Sequence, residues 1–436
     1  MEPLLFGTSQ INKQGELEIG KCPVTELVKD YGTPLFVYDT ALIKQQARDF
    51  KETFEALGVK HRVVYASKAF TCKAIYQLLK SEGLGFDVVS QGELYTALEA
   101  GVSPEMIECH GNNKSYEELE YAVTNNVGMI ILDNFHEIGL LDEITKQHEK
   151  TQRVMLRVTP GVDAHTHDYI LTGQEDSKFG FDVKSGQAAK AFQLVKEAIH
   201  LDLVGIHCHI GSQIFDTTGF SVATEKMLDI LISWRDQFDF VAPILNLGGG
   251  FGVKYTSGDQ PLPSNEYVKQ MVEKVKSECN KRNYPLPEIW IEPGRSIVAE
   301  AGTSLYTVGS RKDVEGVRHF LAVDGGMGDN IRPALYGATY QAFLANRQTE
   351  ENQEQVTLVG KYCESGDKLI EDLMLSPTQP GDIIAMTTTG AYGYSMANNY
   401  NRNQKPAVVF VEDGKSQLVI RRESVKDMIR LDLDLK

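Results

Sequence analysis

Lys68 stands in Arg62-Val63-Val64-Tyr65-Ala66-Ser67-Lys68-Ala69, at the C-terminal end of an apolar, β-branched run. A lysine there places its amine in or beside a sheet, at the open end. Burial lowers the pKa of an ammonium, and a neutral amine condenses with an aldehyde. Leu247-Gly248-Gly249-Gly250-Phe251-Gly252 sets three consecutive glycines at a strand end, and Ile210-Gly211-Ser212 adds a small hydroxyl. Such turns let backbone N–H groups approach an anion closely, although a glycine run is also simply a tight turn. Glu292 opens Glu292-Pro293-Gly294-Arg295. A carboxylate there suits a protonated ring nitrogen; a salt bridge to Arg295 is the plainer reading. His207 and His209 flank Cys208, so on a strand the two imidazoles share one face. No third ligand accompanies them, which argues against a metal. A flat imidazole stacked on a ring suits His209, with His207 left to packing.

Five more residues carry chemistry. Cys363 and Glu364 lie in Lys361-Tyr362-Cys363-Glu364-Ser365-Gly366-Asp367. Alone, Cys363 reads as a surface thiol or a small buried hydrophobe. Arg332, in Asp329-Asn330-Ile331-Arg332-Pro333-Ala334-Leu335-Tyr336, could clamp a carboxylate bidentately, with Tyr336 one helical turn on. Its plainer reading is a solvated loop charge. Tyr392, in Thr389-Gly390-Ala391-Tyr392-Gly393, is placed to reach a phosphate or substrate group, or to pack in a core. An amine for an aldehyde, glycine turns for a phosphate and a carboxylate for a pyridine nitrogen are together the parts that pyridoxal phosphate requires.

The elements that must position these residues alternate. Strand candidates fall at 62–67, 86–89, 106–110, 129–133, 153–158, 203–209, 243–248 and 288–292. Between most of them, helical patterns run at 92–100, 116–125, 137–148, 187–199, 220–237 and 265–282. Eight strand–helix rounds predict a TIM-type (β/α)8 barrel, with a doubly wound open sheet as the alternative. The barrel places functional residues at the carboxyl ends of its strands, and Lys68, His110, Arg157, His209, Gly249 and Glu292 fall there. After about residue 297 the runs become short and β-rich, which predicts a second, mainly antiparallel β domain. The barrel is expected over 35–297. Residues 1–34 and 298–436 are expected to form the β domain, to which the apolar run at Leu35–Tyr38 also offers a strand.

Composition bounds the rest. The chain has 436 residues and a formal net charge of −16, which argues against nucleic acid as a partner. Six cysteines are scattered without a CxxC pair, as in a reducing compartment. No basic, apolar leader opens the chain, and no window of about 18 apolar residues suggests a membrane span. A cytoplasmic location is expected.

In order, these segments resemble the fold-type III pyridoxal phosphate decarboxylases over nearly the whole chain. Tyr65–Ala69, Phe86–Leu94, His209–Gln213, Gly248–Gly252 and Glu292–Arg295 resemble blocks shared across that class, ornithine and arginine decarboxylases included. His165–Gly173 leading to Ser177–Gly180, Arg332–Tyr336 and Cys363–Ser365 are similar to the diaminopimelate branch. The resemblance implies a carboxy-lyase that converts meso-2,6-diaminopimelate to L-lysine and carbon dioxide, the last step of lysine biosynthesis. It implies a homodimer with shared active sites. Lys68 would carry the cofactor, His209 would stack on its ring, and Glu292 would bond its nitrogen. Ser212, Gly249, Gly250, Gly294, Arg295 and Tyr392 would hold it. Arg295, Arg332, Tyr336, Glu364 and Tyr392 would gather substrate groups, and Cys363 would arrive from the partner chain as proton donor. Lys178 and Asp367 resemble a pair that bridges subunits. No metal is expected. A decarboxylase of other basic amino acids or of carboxynorspermidine, a racemase, and a non-catalytic cofactor carrier are the competing readings.

Overall fold

In the computed structural model, residues 3–162, 177–347 and 353–436 are described. Eight parallel strands form a closed ring. In chain order they are β1 His61–Ala66, β2 Gly85–Val88, β3 Ile107–Cys109, β4 Met129–Leu132, β5 Gln152–Thr159, β6 Leu201–His207, β7 Ile244–Asn246 and β8 Glu288–Ile291. Each pairs in parallel with the next, and β8 returns to β1 through Ile289–Ile291 against His61–Val63. The expected (β/α)8 barrel is therefore formed. The short strand Phe181–Asp182 adds to β5.

Helices follow the strands because the connecting residues cap them. Ser90, Ser115 and Asn134 each accept a hydrogen bond from a backbone N–H in the first turn of the helices Gln91–Glu99, Tyr116–Thr124 and Phe135–Gln147. Each such cap contributes about 1 kcal/mol. The helix Ser264–Lys281 buries Tyr267, Met271, Val275 and Cys279, four residues apart, together with Val268 and Val272. That is one apolar stripe on a 3.6-residue period.

The barrel interior is layered. Val64, Met129, Ile131, Met155, Val204, Ile244 and Trp290 form a buried apolar plug. Two residues further along a strand, the same inward face is presented again. That step leads from Met155 to Arg157, from Ile244 to Asn246 and from Trp290 to Glu292. An apolar layer thus gives way to a polar one at the carboxyl ends of the strands.

The chain divides into two compact units, Gln46–Gly252 with Gln260–Ser296, and Met1–Gln45 with Val253–Asp259 and Ile297–Lys436. The second holds the mainly antiparallel sheet expected from sequence. Its long strand Gly302–Val314 pairs antiparallel with Arg318–Val323, Ile383–Met386 and Leu35–Asp39. Leu35–Asp39 belongs here, later by about ten residues than an expected boundary at 35. It is hydrogen-bonded on both edges, to Gly302–Leu305 on one side and to Ala407–Val411 in parallel on the other, and all five residues are buried.

The turn after β7 has no room for side chains. A Cβ on Gly249 would stand 2.1 Å from the carbonyl oxygen of Glu292. One on Gly250, at φ +106°, would stand 2.4 Å from that of Gly211. Gly249→Ala should therefore cost about 1–3 kcal/mol and lower the thermal unfolding midpoint. An unchanged midpoint would mean that the turn relaxes freely.

Candidate active site

The barrel's carboxyl end gathers most of the expected residues. Lys68 lies on a single 3-10 turn, Ser67–Ala69, directly after β1. It is exposed rather than buried. Its charge still reaches inward. Burial, helped by the charges of Lys68 and Arg157, holds His209 well below the usual imidazole range. The neutral His209 ring accepts a hydrogen bond from the Gly249 N–H at Nδ1, 3.2 Å away. Gly249 thus spends its N–H on orienting His209. The Arg295 guanidinium donates to the Ser212 hydroxyl at 2.9 Å, which joins the turns after β6 and β8. Gly294 permits that join, since a Cβ there would stand 2.9 Å from the Ala66 Cβ.

Glu292 does not pair with Arg295 as the plainer sequence reading had it. It is buried, with Oε2 3.1 Å from His207 Nε2 and Oε1 3.1 Å from His110 Nε2. Asn246 donates to Oε1 at 2.7 Å. Burial alone would push this carboxyl up, but His207 and His110 reverse the shift and hold it well below the usual range. Asp87 and Glu108, buried beside it, are pushed up by burial in spite of His110, Glu108 to about 7. His207 is therefore a partner of Glu292 and not packing alone. Burial takes its pKa down to about 4, so its Nε2 donates as a neutral ring.

The β domain carries a second group of expected residues. Arg332 is buried at the start of the helix Arg332–Tyr336. Its Nη1 donates to the hydroxyls of Tyr255 at 3.0 Å and Tyr340 at 2.6 Å. The guanidinium also lies over the rings of Tyr255, Tyr340 and Tyr392, 5.2, 5.7 and 5.9 Å from their centroids. A cation in an aromatic box is fixed in place, so Arg332 is no solvated loop charge. Tyr392 sits at φ +60° in the turn after Gly390. Tyr336 is exposed and outside this box.

Cys363 is the one exposed cysteine; the other five are buried. Its backbone N–H donates to Asn401 Oδ1 at 2.9 Å. Glu364 is also exposed. The loop that presents both is pinned by Asp367, whose carboxylate accepts from the N–H groups of Met327 and Tyr362 at 2.7 and 2.8 Å. Asp367 is thus buried and engaged within its own chain. Lys178 lies 4.9 Å over the Phe179 ring. The block His165–Gly173 lies outside the described residues.

Residues that the sequence reading passed over complete both groups. Asn246 and Glu108 join Asp87, which was expected at the end of its strand, around Glu292, and Tyr255 and Tyr340 hold Arg332. The inward two-residue step along β2, β3 and β7 was the signal for the first set. Nothing local marks the tyrosines, which are 77 and eight residues from Arg332 in sequence.

The residues at the barrel mouth fit pyridoxal phosphate. Close-packed glycine turns lie at the carboxyl ends of β6, β7 and β8, with an ionised carboxylate, a neutral flat imidazole and a lysine at the same end of the barrel. That fold and that donor set define a pyridoxal-binding barrel enzyme. The model for the pyridoxal binding domain of pyridoxal-dependent decarboxylases matches residues 40–299. The chain is 56% identical over 432 residues to a diaminopimelate decarboxylase of Bacillus subtilis, covering 99% of this chain and 98% of the relative. It is 47% identical to one from Staphylococcus aureus, covering 97% and 99%. A crystal structure of diaminopimelate decarboxylase from M. jannaschii in complex with L-lysine superposes with a TM-score of 0.92 at 34% identity, covering 98% of each chain. The chain belongs to the diaminopimelate decarboxylase family.

Proposed function

We propose that this chain decarboxylates meso-2,6-diaminopimelate to L-lysine and carbon dioxide, with pyridoxal phosphate as cofactor, in lysine biosynthesis. Whole-length likeness to diaminopimelate decarboxylases carries the reading. The boxed Arg332 supports it, since a substrate with a second carboxylate needs a fixed cation, whereas ornithine ends in an amine alone. The same contrast disfavours a decarboxylase of other basic amino acids. It does not separate carboxynorspermidine, for which the family likeness decides.

Lys68 would hold the cofactor through its aldehyde. Ser212, Gly250, Gly294, Arg295 and Tyr392 would hold it without covalent bonds, and Gly249 would act by fixing His209 against the ring. When bound, the cofactor supplies an electron sink for the carbanion left by departing carbon dioxide. Glu292, kept ionised, would accept the hydrogen bond of a protonated ring nitrogen. Cys363 delivers the proton to the α carbon. Arg332 and Arg295 take the distal carboxylate, Glu364 the distal amine, and Tyr336 and Tyr392 close around them. Exposure of Cys363, Glu364 and Tyr336 supports a homodimer in which each site draws on both chains. Among the described residues no helix is long and apolar enough to cross a membrane, and scattered, mostly buried thiols support a cytoplasmic location.

Carbon dioxide release measured on diaminopimelate, ornithine, arginine and carboxynorspermidine, with chiral analysis of the product, tests the reading. L-lysine from the meso compound is expected, and preference for any other substrate would overturn it. Lys68→Ala should abolish turnover and the visible colour of bound cofactor; normal rates would end that assignment. Cys363→Ala should lower kcat by about 10²–10⁴ while cofactor affinity holds, and an intact kcat would mean another donor. Arg332→Ala should raise KM for diaminopimelate by about 10- to 100-fold. An unchanged KM would move the carboxylate clamp elsewhere.

A further inference from the structure

One imidazole at the barrel's carboxyl end stands among three buried acids. His110 Nε2 lies 3.1 Å from Glu292 Oε1, 3.5 Å from Glu108 Oε2 and 3.9 Å from Asp87 Oδ1. All four side chains are buried. The His207 ring meets the His110 ring edge-on, with centroids 4.9 Å apart, and binds the other oxygen of Glu292. The Gly248 N–H donates to Asn246 Oδ1 at 2.9 Å, which turns the amide nitrogen toward Glu292 at 2.7 Å and Glu108 at 3.4 Å. Arg157 adds its field from β5.

Three carboxylates cannot all ionise around one cation in a dry interior. The negative charge settles where donors are most numerous. Glu292 accepts hydrogen bonds on both oxygens, from His207 and Asn246, with His110 Nε2 3.1 Å away, whereas Glu108 has one hydrogen bond from Asn246, at 3.4 Å, beside His110. Of the two imidazoles, His110 faces three acids and His207 one, so the proton belongs on His110. Burial opposes it, but Asp87, Glu292 and Glu108 together raise His110 to about 10.

We propose that His110 is a positioning residue for the reaction: a buried imidazolium, set among Glu292, Glu108 and Asp87, that holds Glu292 ionised and in one orientation. This rests on the reading of Glu292 as partner of the cofactor's ring nitrogen. His110 itself touches neither cofactor nor substrate; it acts through Glu292.

The test uses the holoenzyme and the variants His110→Gln, Glu108→Gln and Glu292→Gln. Three readouts are taken against pH: the visible band of bound pyridoxal phosphate, the affinity for pyridoxal phosphate, and kcat apart from KM. Without the imidazolium, the Glu292 pKa rises. In His110→Gln the acid limb of the band and of kcat should therefore move toward neutrality. The deficit in kcat should be about tenfold or more near pH 6 and smaller in mild alkali, with KM little changed. Glu108→Gln keeps the imidazole and removes one acid, so it should shift the alkaline limb of the wild-type profile downward from about 10. A merely structural role would lower all rates alike and leave both limbs in place. If Glu292→Gln disturbs the band while His110→Gln and Glu108→Gln leave both limbs unmoved, the proposal is overturned. If Glu292→Gln also leaves the band unmoved, the reading of Glu292 itself has failed. Should His110→Gln not fold, the alkaline limb of Glu108→Gln decides alone.

Discussion

The buried carboxylate of Glu292 is the constraint around which the barrel mouth is arranged. An ion in a dry interior costs several kcal/mol unless it is paired and hydrogen-bonded. Here the compensation comes from three different strands or their ends: His110 after β3, His207 on β6 and Asn246 on β7. Each must arrive at one level in the barrel, and only a closed ring in fixed register brings them there. Glu292 also shapes the backbone around it, since its carbonyl oxygen is the atom that excludes a side chain at Gly249. The same glycine then orients His209 through its N–H. Fold, glycine turn and stacking ring are therefore coupled through one residue.

Arg332 shows the other solution to the same problem. Its guanidinium is buried without an acidic partner among its described contacts. It is held instead by two tyrosine hydroxyls and the faces of three rings. Neutral partners fix the group while leaving its charge uncancelled, which is what a receptor for a carboxylate needs. Glu292, by contrast, is surrounded by donors, as suits an acceptor that must stay ionised. The two groups are complementary in sign and alike in rigidity.

Much of this architecture was legible in the residues. All eight barrel strands and six of the seven helices between them fall within about two residues of where periodicity put them; the helix Lys73–Ser81 was not picked out. An apolar run of four to seven residues followed by an amphipathic helix admits few other readings. The β domain was less legible. Lys368–Leu375 went unseen, because an edge strand carrying Glu371 and Asp372 alternates poorly between apolar and polar. Ala342–Leu344 was too short to register. At the mouth, Lys68, His209, Ser212 and Arg295 stood out because they sit in unusual local company. Asn246, Glu108, Tyr255 and Tyr340 did not, because their role comes from residues distant in sequence. The premise of a buried Lys68 also failed: the side chain is exposed, although Ser67 and Ala69 on either side of it are buried.

The strand Leu35–Asp39 has a consequence for how the molecule is made. It is synthesised among the first forty residues, yet both of its hydrogen-bonding neighbours come late, at Gly302–Leu305 and Ala407–Val411. Every strand of the ring, by contrast, is translated between His61 and Ile291. On a ribosome the ring can therefore be complete while this apolar pentapeptide still waits for its neighbours. Any accident that halts translation short of residue 407 leaves one of its edges open, at the cost of unpaired backbone groups and an aggregation-prone nascent chain.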